Sequence, residues 1–234
     1  MSELKRWVTQ EIELYEPYIY RVKGFEGKRG FDVNMRFYDW LLRFKAYNSV
    51  IWGVTKDDTI KFLEELLGER MELLLDLGCG PMTYTYGLYK GIEQGVVVGV
   101  DISLSALRIA RSRVYGSNLR REAVYFLQAD IFDLPFEYGS ADVVNVLGML
   151  HLFESLDYLL ANVYRVLREG GVGYFSVLVS DRYISKVAID FLHFLGHLYK
   201  PRKADFYLEK LEDAGLAIQK YELRGGMLFV KVRK

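Results

Sequence analysis

Residues 73–81 read Leu-Leu-Leu-Asp-Leu-Gly-Cys-Gly-Pro, an apolar run that breaks abruptly into a glycine-punctuated turn. A near-continuous apolar run suits a strand buried on both faces of a parallel sheet. Gly78 and Gly80 have no Cβ, so the chain can turn sharply there and approach a ligand closely. Ligands of doubly wound sheets bind at the carboxyl ends of strands, which makes this turn the first candidate site. As a dinucleotide fingerprint G-x-G-x-x-G it fails, because Thr83 stands at the third glycine position.

Outward from this turn, strand-like and helix-like segments alternate. Further Val-, Leu- and Ile-rich runs occupy 96–102, 123–129, 141–147 and 171–180. Amphipathic stretches lie between them at 82–91, 103–116 and 154–171, with Ser103 as an N-cap and Gly170-Gly171 as a stop. Alternation of this kind points to a doubly wound α/β sheet. The chain then departs from the rhythm: 216–234 reads as two strands joined at Arg224-Gly225-Gly226, an antiparallel hairpin.

Two further acids fall at strand ends. Asp101 follows the second strand, 25 residues after Asp76, where a carboxylate can accept hydrogen bonds from both hydroxyls of a ribose. Asp130 follows the third, placed to accept from an adenine amine, with Ile102 and Ile131 as apolar walls for the ring. Each acid alone also suits a turn or a helix cap.

These stretches together resemble the class I S-adenosylmethionine-dependent methyltransferases, in particular the type-11 (ubiquinone/menaquinone C-methyltransferase-like) group. The matching segments are 73–81, 97–103, 128–136, 141–153 and 163–177, followed by 208–223 and the terminal hairpin. The resemblance implies a Rossmann-like, seven-stranded, mostly parallel sheet with an antiparallel last strand and helices on both faces. It implies S-adenosyl-L-methionine as cofactor, with S-adenosyl-L-homocysteine as product. Gly78, Cys79 and Gly80 would line its methionine part, and Asp76 would organise that loop and the ammonium. Asp101 would hold the ribose, Asp130 and Ile131 the adenine. Asn145 and Leu147 would flank the sulfonium. Family members usually carry a third glycine where this chain has Met82, so a wider loop or a differently held methionine tail is expected.

Methyl transfer from a sulfonium asks mainly for alignment of the nucleophile with the methyl group. His151, just after the fourth strand, is the candidate general base, with packing or capping as its plainer role. Tyr38, in Phe37-Tyr38-Asp39, matches a Tyr-Asp pair of the quinone enzymes and would close over the cofactor, or else pack a helix on the sheet. His193 and His197 stand four apart but lack a third ligand, so no metal is expected.

Residues 1–70 read as a helical N-terminal cap, with a helix over 4–15 stopped before Pro17, an aromatic helix over 36–53, and another over 55–69. Residues 71–234 form the cofactor-binding domain, with a lid insertion at about 181–207. Aromatic residues in both cap and lid favour a small hydrophobic or aromatic acceptor. The alternatives are a tRNA or rRNA methyltransferase using the basic loop 23–29 and the Arg108/Arg111/Arg113/Arg120/Arg121 cluster, and a non-catalytic S-adenosylmethionine-binding regulatory or partner subunit. An NAD-dependent oxidoreductase is disfavoured by Thr83 and the terminal hairpin.

Composition bounds these readings. The 234 residues carry 31 Lys+Arg against 31 Asp+Glu, a balance that argues against a protein living on a polyanion. The single cysteine, Cys79, excludes an intrachain disulfide and suits a reducing compartment. The N-terminal stretch has no apolar signal region and no run is long enough to span a bilayer, so a soluble cytoplasmic protein is expected. Only five Asn and four Gln are present, a scarcity in keeping with thermophile composition.

Overall fold

The computed structural model describes residues 2–27, 39–40, 43–92, 94–116 and 123–234. Its centre is the strand opened on above. β3 (Leu73–Leu77) is buried along its whole length because it lies between two parallel neighbours, β4 (Val96–Asp101) and β6 (Ala141–Leu147). β5 (Val124–Gln128) pairs parallel with β4, and β7 (Leu167–Leu178) parallel with β6. The expected hairpin closes that side: β9 (Met227–Arg233) runs antiparallel to both β7 and β8 (Ala217–Arg224). These seven strands give the sheet expected for the class.

Two additional strands make the sheet nine-stranded, in the order β1-β2-β5-β4-β3-β6-β7-β9-β8. They form a hairpin, β1 (Ile12–Glu16) and β2 (Ile19–Val22), turning at Pro17 and Tyr18, whose φ is +66°. The helix expected over 4–15 is therefore corrected: helix is confined to Ser2–Lys5. Tertiary pairing overrides local preference here. β2 lies parallel on β5, with Ile19 opposite Phe126 and Tyr20 opposite Leu127, and both of its leading residues are buried. The hairpin thereby covers the edge of β5 that would otherwise present unpaired backbone groups.

Helices cover both faces. On one lie α1 (Lys56–Leu63) and α2 (Leu104–Tyr115), whose Phe62, Leu63, Leu107, Ala110 and Val114 join the core beside Leu74 and Val97. Thr55 and Asp58 form a capping box on α1, and Ser103 caps α2 through the Ala106 amide. On the other face α3 (Asp157–Val166) packs Leu159, Leu160, Val163 and Val166 against Leu75 and Val144. α4 (Tyr183–Phe194) follows β7, and α5 (Ala204–Asp213) leads into β8. The helix expected over 82–91 is instead a run of turns ending in a 3-10 turn at Leu88–Gly91. Thr83 and Thr85 give their hydroxyls to carboxylates, and such side-chain bonding competes with a helical ladder.

Candidate active site

The carboxyl end of β3 turns over its neighbour. Gly78 and Cys79 both donate their amides to the carbonyl of Val100, at 2.8 and 3.1 Å, and Gly80 donates to Asp101 Oδ2 at 2.8 Å. Gly78 and Gly80 adopt φ of +64° and +51°, conformations that glycine takes without steric cost. A Cβ on Gly78 would stand 2.0 Å from Met149 Sδ, whereas one on Gly80 would meet nothing within 4 Å. One glycine thus permits packing and the other leaves an open cradle.

Met82 answers the question raised by the absent third glycine. It takes φ +52°, the region a glycine would occupy, and is buried at 1% exposure. Its Cε lies where a Cβ on Gly99 would be, at 2.4 Å. Gly99 in β4 therefore makes room for the methionine, whose side chain tucks beneath the turn. Cys79 also packs over Gly99. Burial and the nearby Asp101 and Asp76 carboxylates push its thiol well above the usual range, which makes it a packing residue rather than a nucleophile.

Beneath the turn lies a buried polar network. Asp76 Oδ2 accepts from the Tyr89 hydroxyl at 2.7 Å and from the Thr85 hydroxyl at 3.2 Å. Burial raises the Asp76 carboxyl to about 6, partly opposed by these two donors. Asn145, opposite Asp76 in the sheet register, donates from Nδ2 to the Tyr89 oxygen at 3.1 Å. Its Oδ1 is buried with no partner among the described residues. Such an acceptor carries a desolvation cost until a donor reaches it. Tyr89 and Thr85 were not visible as site residues, since only the turns at 82–91 bring them under Asp76.

Asp101 accepts from Gly80 on Oδ2 and from the Ser103 amide on Oδ1, both at 2.8 Å. Burial raises its carboxyl, against the pull of these backbone donors. Each oxygen retains a second lone pair for a ligand hydroxyl. Ile102 is half-buried and its carbonyl accepts from Gln128 Nε2. Asp130 accepts from the Phe132 amide at 3.0 Å, while Ile131 packs in the core with 9% exposure. Leu147 is half-buried at the end of β6.

His151, the candidate base, lies in the turn after β6. It is buried, which lowers its pKa to about 4, so the ring is neutral near pH 7. Its Nδ1 accepts the Leu178 amide at 3.3 Å, which leaves the ring proton on Nε2. In this tautomer the ring ties the 3-10 turn Leu150–Leu152 to β7 and offers a donor on Nε2. Tyr38 lies outside the described residues. Its neighbour Asp39 is only 4% exposed and accepts from Thr83 Oγ1 and from Arg113. Arg113 also donates to the Pro81 carbonyl. The N-terminal segment is thus latched to the glycine turn by an ion pair from the arginine cluster that the nucleic-acid alternative assigned to RNA. Arg108 and Arg111 likewise pair with Glu16 of β1.

An open cradle at Gly80, a two-oxygen acceptor at Asp101 and an orphaned acceptor at Asn145 fit a ligand with ribose hydroxyls and an ammonium group. Strand order, site position and acid spacing define a class I methyltransferase architecture, whose cofactor is S-adenosylmethionine. Residues 75–175 match the family model described as a methyltransferase domain, of the type-11 group. Demethylmenaquinone methyltransferase of Lactococcus lactis is 34% identical over 137 residues, covering 56% of this chain and 48% of that protein. An uncharacterized chloroplast methyltransferase of Arabidopsis thaliana is 29% identical, over 50% of this chain and 34% of its own. The chain spans about half the length, or less, of these curated relatives. The fold is shared with geranyl diphosphate C-methyltransferase of Streptomyces coelicolor (TM-score 0.63, 14% identity, 76% of this chain and 74% of that one). It is also shared with a possible histamine N-methyltransferase of Thermotoga maritima (TM-score 0.62, 13% identity, 85% of this chain and 99% of that one).

Proposed function

We propose that this protein transfers the methyl group of S-adenosylmethionine to a small, apolar acceptor. The observation that carries the reading is the clamp between two strand ends, Gly80 N–H to Asp101 Oδ2, above the buried Asp76–Tyr89–Asn145 network. When bound, the cofactor supplies a methyl group on a sulfonium leaving group. Asp101 orients the ribose hydroxyls, and Ile102 and Ile131 flank the adenine with Asp130 accepting from its amine. Asp76 and Asn145 Oδ1 receive the ammonium and the neighbouring polar edge, while Leu147 and Gly78 shape the wall beside the reacting methyl. The chain's main contribution is alignment, which brings an in-line nucleophile within reach of the methyl carbon. His151 acts as a positioning residue through Leu178. Tyr38 remains the proposed cover, delivered by the Asp39–Arg113 latch.

A groove of about 450 Å³ supports the apolar acceptor. It runs between the turn at 48–52 and α4 and is lined by Tyr47 and Ile51 and, along α4, by Tyr183, Ile184, Val187, Ala188, Phe191 and Leu192. Demethylmenaquinone and geranyl diphosphate, named for the proteins above, each carry an apolar hydrocarbon chain that suits such a groove. The single cysteine fits work in the cytoplasm. Calorimetry with S-adenosylhomocysteine, S-adenosylmethionine and NAD tests the reading. The first two should bind with micromolar or tighter affinity and NAD should not; a preference for NAD would overturn it.

A further inference from the structure

α4 is built inside out for a surface helix. Tyr183, Ile184, Val187, Ala188, Phe191, Leu192, Phe194 and Leu195 fall on one continuous arc spanning about half the helix circumference. Ser185 and Ile189 are buried, and Ala188 and Leu192 pack partly buried against the core. The outer flank of the arc forms the exposed rim of the groove, with Tyr183 at 79% and Phe191 at 61% exposure, and Phe194, past the groove, is 85% exposed. Val50, beside the groove on the facing turn, is 61% exposed. An apolar surface of this extent on a protein marks a contact with something else.

Charge identifies the contact. Residues 181–203 hold five Lys/Arg and two Asp, within a chain whose charges balance overall. Of the acids, Asp181 caps α5 through the Ala204 amide and Asp190 pairs with Lys186. Lys200 and Lys203 are exposed beyond the helix end. Aromatic and aliphatic residues with a basic rim are the chemistry of a helix lying in an anionic membrane interface. Among the described residues no helix is long and apolar enough to cross a membrane, so the contact is a surface one.

We propose that α4 docks the protein on an anionic lipid bilayer, its outer flank inserted at the headgroup boundary and its inner flank leading into the acceptor groove. The proposal rests on the apolar-acceptor reading: an acceptor dissolved in the bilayer would enter the groove along α4 without crossing water.

The test is sedimentation of the intact protein with vesicles of phosphatidylcholine alone and with one-third phosphatidylglycerol. Binding to the anionic vesicles is expected, weakening with salt, and at least tenfold weaker binding for Phe194→Asp/Leu195→Asp, two exposed residues outside the groove. Lys200→Glu/Lys203→Glu should weaken it several-fold. Both pairs are exposed, so unchanged melting and unchanged S-adenosylhomocysteine affinity certify the variants. Equal partition of wild type and the Phe/Leu variant, or no pelleting at all, overturns the proposal. So does a wild-type dimer in light scattering that the Phe/Leu variant abolishes, since the face would then join two copies of the chain. Retained cofactor binding in any of these cases leaves the methyltransferase reading standing, and its loss in wild type would remove that reading instead.

Discussion

The glycine turn after β3 and the outer face of α4 lie at the same end of the sheet and invert the usual distribution of polarity. Under the turn, Asp76 and Asn145 are polar groups withdrawn from water, Asp76 accepting from Tyr89 and Asn145 donating to it, and half-buried Asp101 accepts from Gly80 beside them. On α4, Tyr183, Phe191 and Phe194 are apolar groups left in water. Buried polar groups are costly unless paired, so the first arrangement is rigid and intolerant. Exposed apolar groups contribute little to folding, so the second is free to change without harm to the fold. The difference teaches that one region is kept for geometry and the other for contact.

The largest expected effect is on the buried side. Asp101→Ala removes both oxygens proposed to hold the cofactor's ribose and should weaken S-adenosylhomocysteine binding about 100-fold or more by calorimetry. A change within threefold would break the assignment of the turn as the cofactor site. Next comes Gly78→Ala, whose Cβ would meet Met149 Sδ at 2.0 Å in a backbone with φ +64°. Denaturant unfolding should report a loss of about 2–3 kcal/mol. Adding Met149→Ala relieves the clash but not the φ strain, so only part of the loss should return.

Asp39→Asn should cost about 2 kcal/mol, because Arg113 would keep its charge beside the Pro81 carbonyl with its partner neutralised. That figure allows for the 17% exposure of the Arg113 side chain. In Arg113→Met the same Asp39→Asn change should cost less than half as much, and equal costs would mean the latch carries no coupling.

Acid offers a subtler probe. His151 has a folded pKa of about 4 against 6.5 in the open chain, so the unfolded state binds the proton first and stability is lost as pH falls from 6.5 to about 4. Asp76 runs oppositely: raised to about 6 from 3.8, it holds its proton better in the folded state, and stability is lost as pH rises across that span. Between about 4 and 6 the two slopes oppose, and the melting temperature should vary little with pH. His151→Gln should expose the Asp76 slope, with melting falling as pH rises through this window; a profile parallel to wild type would contradict the buried neutral imidazole. Smallest of all, Phe194→Asp should shift stability by no more than about 0.5 kcal/mol. A larger loss would erase the contrast between the two regions by making α4 part of the core.

Much of the buried side was legible from residue order. Strand ends in a parallel sheet fall on one edge, so Asp76, Asp101 and Asp130 could be gathered from the apolar runs before them. The missing helix at 82–91 was not legible, because its amphipathic spacing is real but Thr83 and Thr85 are drawn to acids distant in sequence. Nor was the N-terminal hairpin, whose strands exist because β5 offers an open edge. His151 was placed correctly after β6, yet its role turned on the Leu178 amide, which reaches it from 27 residues away.

The sequence by itself determined the periodicity, hence the alternating strands and helices, the glycine turn and the spacing of the acids, since these depend on local sterics and on which face each residue must bury. Only the tertiary structure decided which donors meet Asp76, how Met82 fits where a glycine is usual, that Arg113 latches the N-terminal segment, and that α4 turns its apolar arc outward. Those outcomes depend on pairings between distant segments and on the burial they create, and no local pattern encodes which distant partner arrives.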